Sequence, residues 1–270
     1  MPPTTIVQPT RLDGTTRTAG VSRDRAHERR AARAAARRVV WQESRLPRLR
    51  DCGRVSIAPE GRVGVRVTGS GCQRVAGFAG LATCGSVWAC PVCSAQIMVR
   101  RREDVAQAVE AVRARGWSIV MVTLTVQHHD HHTLTELWDA VSTGWSAVTS
   151  GAGWVGGKVR ADGSHAIGDK ERYGIVGYIR AAEVTTGENG WHPHVHALII
   201  CDGPMTNDGA AALGHSMWKR WNRALQRKGY GSKILYENGQ ATAGLRATVI
   251  RGEDAGEVLS DYFTKAVYNP

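Results

Sequence analysis

Two hundred and seventy residues with 42% hydrophobic content can build one large domain, or a domain with an appended module, around an ample core. No run approaches eighteen consecutive apolar residues and the opening MPPTTIVQPT has no apolar signal-peptide stretch, so the chain reads as cytoplasmic and without a membrane span. Thirty-five Lys and Arg against 24 Asp and Glu, a formal net charge of +11 and a pI near 9.8 point to a polyanionic partner, nucleic acid ahead of an anionic membrane surface.

Residues 1–50 hold twelve Arg against four acids, which makes them a basic arm. Within it, Val21 to Ser44 is Ala- and Arg-dense and predicts a helix, with Arg29, Arg30, Arg33 and Arg37 as phosphate-contacting candidates. Residues 51–95 are rich in Cys, Gly and Val, with alternating stretches such as RVGVRV that predict short strands around a metal knot. Ser94 to Arg115 reads as a helix stopped by Gly116. Ser118 to Val126, SIVMVTLTV, is a β-branched run of the kind found in a strand buried on both faces.

His128, His129, Asp130, His131 and His132 follow as a loop able to take up a metal adventitiously. Thr133 and Glu136 then form a capping-box pattern, ahead of Leu137, Val141, Trp145 and Val148 at helical spacing. The Gly-rich stretch Ser150 to Gly174 reads as a loop or irregular hairpin. GIVGYIRAAEV and HPHVHALII flank TTGENG, which signals an antiparallel hairpin. Ala210 to Lys228 is an amphipathic helix ended by Gly229, a hairpin-like stretch covers Ile234 to Arg251, and Glu253 to Tyr268 is a last helix. The fold class is α+β, a central antiparallel sheet with flanking helices, divided into the arm (1–50), a Cys-rich zinc module (51–95) and the main domain (96–270).

Three groups of residues carry chemistry. Strand side chains alternate faces, so His194 and His196 project together and can share one cation; a tight TTGENG turn puts Glu183 opposite His194 as a third ligand. Two imidazoles and a carboxylate suit Mg²⁺ or Mn²⁺ acting on a phosphate oxygen, with Zn²⁺ competing for the imidazoles. On the last helix, Tyr262 and Lys265 share a face, which sets an ammonium beside a phenol oxygen; Tyr268 is the alternative nucleophile, and Glu257 and Asp261 are candidate water-activating bases. Cys84, Cys90 and Cys93 resemble most of a structural zinc site, completed by Cys52 or Cys72; the Cys52-Gly53 pair, typical of a zinc-knuckle turn, favours Cys52.

TLTV after an apolar strand, then HPHVHALI, then YFTK on a helix resemble, in that order, the three motifs of the HUH endonucleases, and the upstream cysteines resemble those of actinobacterial rolling-circle plasmid replication initiators. The resemblance runs from about Cys52 to Lys265. It implies an HUH catalytic domain over 96–270, DNA contacts from Thr123 and Thr125, and a divalent ion (Mg or Mn) beside a structural zinc. It further implies that Tyr262, assisted by Lys265, nicks a single-stranded or hairpin plasmid origin through a covalent 5′-phosphotyrosine. Host helicase and polymerase would be further partners, and such initiators often extend beyond the third motif. Two other readings use the same residues. One is a histidine-triad-type nucleotide hydrolase, and the other a non-enzymatic zinc-ribbon DNA-binding protein.

Overall fold

The computed structural model describes residues 19–71, 74–237 and 240–251. Cys72 and the expected last helix, with Glu257, Asp261, Tyr262, Lys265 and Tyr268, lie outside the described residues. The chain divides into two compact units, Met1–Ile97 and Met98–Pro270.

In the first unit the Ala/Arg-dense segment forms α1 (Ala19–Glu43), followed by one short turn, α2 (Pro47–Arg50). Pro47 stands four residues past the end of α1. It starts the next helix, where its missing N–H is no loss. The Trp41 ring carries the guanidinium groups of Arg37 and Arg54 at 5.0 and 5.1 Å from its centroid, and its Nε1 donates to the Cys52 carbonyl at 2.9 Å. Strands β1 (Gly64–Thr68) and β2 (Val75–Ala79) pair as an antiparallel hairpin. Helix α3 (Pro91–Ala114) begins three residues earlier than the composition suggests, so Cys93 sits in its first turn.

The second unit is built on a four-stranded antiparallel sheet in the order β4-β5-β3-β8, from β3 (Ser118–Thr125), β4 (Ile175–Gly187), β5 (Gly190–Cys201) and β8 (Leu245–Ile250). Alternation sorts its side chains. Val120, Val122 and Leu124 of β3 and Val195, Ala197 and Ile199 of β5 face α4 (Leu134–Val148) and α7 (Asn207–Arg227), which supply Leu137, Val141, Met217 and Trp221. Ile119 and Leu198 face the other way, against Val105, Val109 and Val112 of α3. Burying a Val or Leu contributes roughly 1.5–3 kcal/mol each, so these two clusters hold the sheet from both sides.

The expectation of a β3 buried on both faces needs correction, because α3 covers the start of the strand, around Ile119, and Thr123 and Thr125 beyond it stay half-buried. Helix α4 starts at the expected box: Thr133 Oγ1 accepts from the Glu136 N–H, and the Glu136 carboxylate accepts from the Thr133 N–H. Residues 150–174 are not a plain loop. They contain α5 (Ala152–Val155) and α6 (Asp169–Arg172), and buried Asp169 accepts from Ser216 and from Arg220, the latter at 2.5 Å.

Residues 234–251 depart from a simple hairpin as well. β6 (Leu235–Glu237) pairs with β7 (Gln240–Ala243), whereas β8 joins β3 as the sheet edge. The apolar alternation of LRATVI supplies the face that packs there, with Leu245 buried beside α7.

Candidate metal centres

The β4–β5 hairpin sets one carboxylate against two imidazoles. Its two-residue turn, Glu188-Asn189, fixes the register so that Glu183 pairs with His194 and Ala181 with His196. Glu183 Oε2 lies 2.8 Å from His194 Nε2 and 3.0 Å from His196 Nε2, and ligand atoms of the three residues all lie within 4.8 Å of one another. The group stands on the α3 side of the sheet, in line with Leu198 and Ile200, where β5 extends past the apolar patch. His196 is 3% exposed, and this burial, with the nearby His194 ring, pushes its pKa below the ordinary imidazole range.

Hydrogen bonding around these rings is directional. A carbonyl only accepts, so the 3.3 Å contact between His194 Nδ1 and the His192 carbonyl requires a proton on Nδ1. The other nitrogen, Nε2, meets the Glu183 carboxylate, a second acceptor. His194 therefore has an acceptor at both ring nitrogens, an arrangement that calls for a second ring proton or for a metal ion between Nε2 and the carboxylate. His196 has Thr123 Oγ1, a hydroxyl able to donate or accept, 2.9 Å from Nδ1 on the side away from Glu183. Two imidazoles, each backed at Nδ1, and one carboxylate form a set that fits a divalent cation.

His192 does not join that cluster. Its Nδ1 is 2.6 Å from His128 Nε2, and His128 Nδ1 is 2.8 Å from the Asn189 carbonyl. Because the carbonyl accepts, the protons run in one direction: His128 donates from Nδ1, His192 donates to His128, and His192 Nε2 is left as an acceptor. Burial and the neighbouring His194 and His128 rings bring the His192 pKa down to about 4. His128, read in the sequence as loop, is thus tied to the His strand.

The row through the site extends across β3. Thr123 is opposite His196 on one side and Arg246 on the other, so exposed Arg246 shares the face of the metal group. Of the two residues that the first motif offered as DNA contacts, Thr123 touches His196. Thr125 is held inside the fold: its Oγ1 accepts from the Gly244 N–H at 3.1 Å, and its carbonyl accepts from Trp221 Nε1 at 3.0 Å. The positions of Thr123 and Arg246 were not readable from the chain, since both depend on pairing between distant strands.

In the first unit, Cys52, Cys84, Cys90 and Cys93 are all buried, with ligand sulfurs within 4.8 Å of one another. Cys52 Sγ is 3.7 Å from Cys90 Sγ and 3.5 Å from Cys93 Sγ, far beyond a disulfide bond. The backbone turns its amides toward the sulfurs: the Cys84 N–H donates to Cys52 Sγ and the Ser86 N–H to Cys84 Sγ, both at 3.4 Å. Gly53, at φ 70°, makes the knuckle turn and donates to the Ala82 carbonyl at 2.7 Å. Burial raises the Cys52 and Cys84 thiols; burial acts on Cys93 too, but the Gly85 amide and the neighbouring thiols outweigh it and lower that group. Four converging sulfurs served by N–H donors fit one tetrahedral zinc ion.

Of the arm residues, Arg29 and Arg30 are exposed, Arg33 is half-buried, and half-buried Arg37 lies over Trp41. Among the described residues, no helix is long and apolar enough to cross a membrane.

Over 148 residues, 49% of this chain, the sequence is 36% identical to "Protein rep" of Streptomyces lividans, covering 32% of that protein. Over 139 residues, 46% of this chain, it is 37% identical to a "Neomycin resistance protein" of Streptomyces cyanogenus, covering 31% of it. The chain thus spans about a third of the length of these curated relatives. No family model matches, and no solved structure matches. The matches fit an actinobacterial plasmid Rep-like protein.

Proposed function

We propose that this Rep-like chain acts in plasmid replication as an HUH-type endonuclease that nicks and rejoins single-stranded DNA at the replication origin. The observation that carries the reading is the convergence of His194, His196 and Glu183 around one carboxylate oxygen, with both His194 nitrogens facing acceptors. These three residues would hold the divalent ion, Mg²⁺ or Mn²⁺. When bound, it supplies positive charge to a non-bridging oxygen of the scissile phosphate.

The chain's own groups do the rest. Thr123 and the His192 carbonyl keep the Nε2 atoms of His196 and His194 directed at Glu183. Arg246, exposed in the same row, offers a guanidinium to an adjoining phosphate. Tyr262 is the nucleophile. Its phenol gives up its proton to solvent water, with the Lys265 ammonium stabilising the phenolate, because an unassisted phenol of pKa ~10 attacks poorly at neutral pH. The phenolate oxygen bonds to phosphorus, the bond from phosphorus to the 3′ oxygen breaks, and that oxygen leaves as a 3′-OH after taking a proton from solvent water. The product is a 5′-phosphotyrosine, and the reverse attack by a 3′-OH rejoins the strand.

The Cys52, Cys84, Cys90 and Cys93 knot would hold a structural zinc, and the arm residues Arg29, Arg30, Arg33 and Arg37 would add sequence-blind phosphate contacts. Likeness to a Rep protein does not favour a histidine-triad nucleotide hydrolase or a zinc-ribbon protein without chemistry.

Incubation of the full chain with labelled single-stranded origin DNA and Mn²⁺ tests the reading. A covalent adduct that survives denaturation, is lost in Tyr262→Phe, and leaves a free 3′-OH fragment is the expected result. An adduct lost only in Tyr268→Phe reassigns the nucleophile. No adduct from any origin strand, with the metal bound, overturns the mechanism.

A further inference from the structure

Beside the cysteine knot, within the first unit, lies a cavity of about 350 Å³ lined by Leu46, Arg48, Leu49, Trp88 and the rest of the Cys84–Ala89 loop. That volume is at the lower end of small-ligand sites, enough for one flat ring system with its substituents. Leu49 and Cys84 form its buried floor, whereas Leu46 and Trp88 at its rim are 59% and 58% exposed.

The character of a ligand that fits this cavity follows from charge. Residues 1–97 contain sixteen Arg, no Lys and six Asp and Glu, so ten of the eleven net positive charges of the chain lie in this unit. Arg48 lines the cavity itself, is exposed, and donates through Nη2 to the Cys84 carbonyl. That bond occupies one of its five N–H donors and fixes the side chain at the cavity edge. An apolar, partly aromatic hollow bordered by an anchored guanidinium on a strongly basic unit is complementary to a ligand that is flat and apolar on its faces and anionic along one side. A nucleotide of single-stranded DNA has that form, since the unpaired base offers both faces for stacking, whereas a duplex hides them.

We propose that this cavity is a seat for one unpaired nucleotide of single-stranded DNA, with the base stacked on Trp88 against Leu46 and a flanking phosphate on Arg48. The choice of DNA rests on the Rep-type reading above; the seat is independent of the Glu183, His194 and His196 chemistry. Because Cys84 belongs to both the knot and the cavity wall, the four sulfurs also hold the seat in shape. Stacking tolerates any base, so the seat adds affinity for unpaired strand without reading sequence.

The test is fluorescence anisotropy of the full chain with a labelled single-stranded oligonucleotide and with the same sequence as a duplex. Trp88→Ala is expected to weaken single-strand binding on the order of tenfold, Trp88→Phe to keep most of it, and neither to alter duplex affinity. Zinc content measured on each variant reports an intact knot. Unchanged single-strand affinity in Trp88→Ala with zinc retained, or an equal loss on duplex, overturns the proposal. Should Trp88→Ala fail to fold, ultraviolet crosslinking of the unaltered protein to a bromodeoxyuridine oligonucleotide decides the matter: an adduct on residues 46–49 or 84–89 supports the seat, and adducts only elsewhere refute it. The tyrosine adduct, assayed at saturating DNA, separates the two readings. Single-strand affinity unchanged in Trp88→Ala with the adduct intact refutes the seat alone, a Trp88-dependent affinity without an adduct from any origin strand refutes the nicking reading alone, and no DNA binding at all refutes both.

Discussion

Thr123 on β3 and His196 on β5 stand directly opposite each other, with Thr123 Oγ1 2.9 Å from His196 Nδ1, on the side of the ring away from Glu183. When Nε2 ligates a metal, Nδ1 carries the ring proton and the Thr123 hydroxyl accepts it, which fixes the ring plane and the tautomer. Thr123→Val keeps the shape and removes the acceptor. It should lower affinity for Mn²⁺ by about 10- to 100-fold with no change of fold, while Thr123→Ser stays close to the unaltered protein. Calorimetric titration with Mn²⁺ measures this, and equal affinity in Thr123→Val would remove Thr123 from the site.

The cysteine knot makes a different prediction. Cys90→Ser substitutes a poor zinc ligand in a buried group of four sulfurs, so the protein should lose about one equivalent of zinc and melt at lower temperature. Metal analysis with thermal melting reads both quantities. Full zinc content and an unchanged melting temperature in this variant would show that the knot holds no structural ion.

Arg246 shares a sheet row and a face with Thr123 and His196 without belonging to the metal group. Arg246→Ala should therefore reduce adduct formation at limiting DNA while leaving Mn²⁺ affinity unchanged. Arg246→Lys, a cation without the planar fork, should recover only part of the loss. A parallel fall in metal affinity would place Arg246 in the metal site instead.

The Asp169–Arg220 pair ties α6 to α7, with Asp169 also accepting from Ser216 at 2.9 and 3.1 Å. Asp169 is 4% exposed, so removing its partner strands a charge away from water. Arg220→Met should destabilise the second unit by about 3–5 kcal/mol in urea unfolding, because the buried Asp169 carboxylate loses its counter-charge. The double variant Asp169→Ala, Arg220→Met should recover part of that, and a cost below about 1 kcal/mol for the single change would mean that water reaches the pair.

Some of this was legible in the chain because it is local. Glu183 and His194 are joined by a two-residue turn, so counting back along paired strands brings them together, and alternation brings His196 to the same face. The capping box of α4 spans four residues and needs no partner from elsewhere. Cys84, Cys90 and Cys93 fall within one loop and the first turn of α3, and the Cys52-Gly53 knuckle pointed to the remaining sulfur.

What local order could not supply came from strand pairing at a distance. Thr123 and His196 are 73 residues apart, and each matches the pattern of many other strand residues; their meeting depends on β5 lying beside β3. Arg246 reaches the same row because β8 leaves its neighbour β7 and closes the edge of the sheet, and His128 meets His192 because the loop after β3 lies against the turn of the hairpin. Periodicity and turn chemistry act over a few residues, so the sequence by itself determined the longer elements, the Glu183–His194 register and the cysteine group. The order of strands depends on which apolar faces bury best against α3, α4 and α7 once the whole chain has collapsed, and only the tertiary structure decided which side chains stand behind and beside Glu183, His194 and His196.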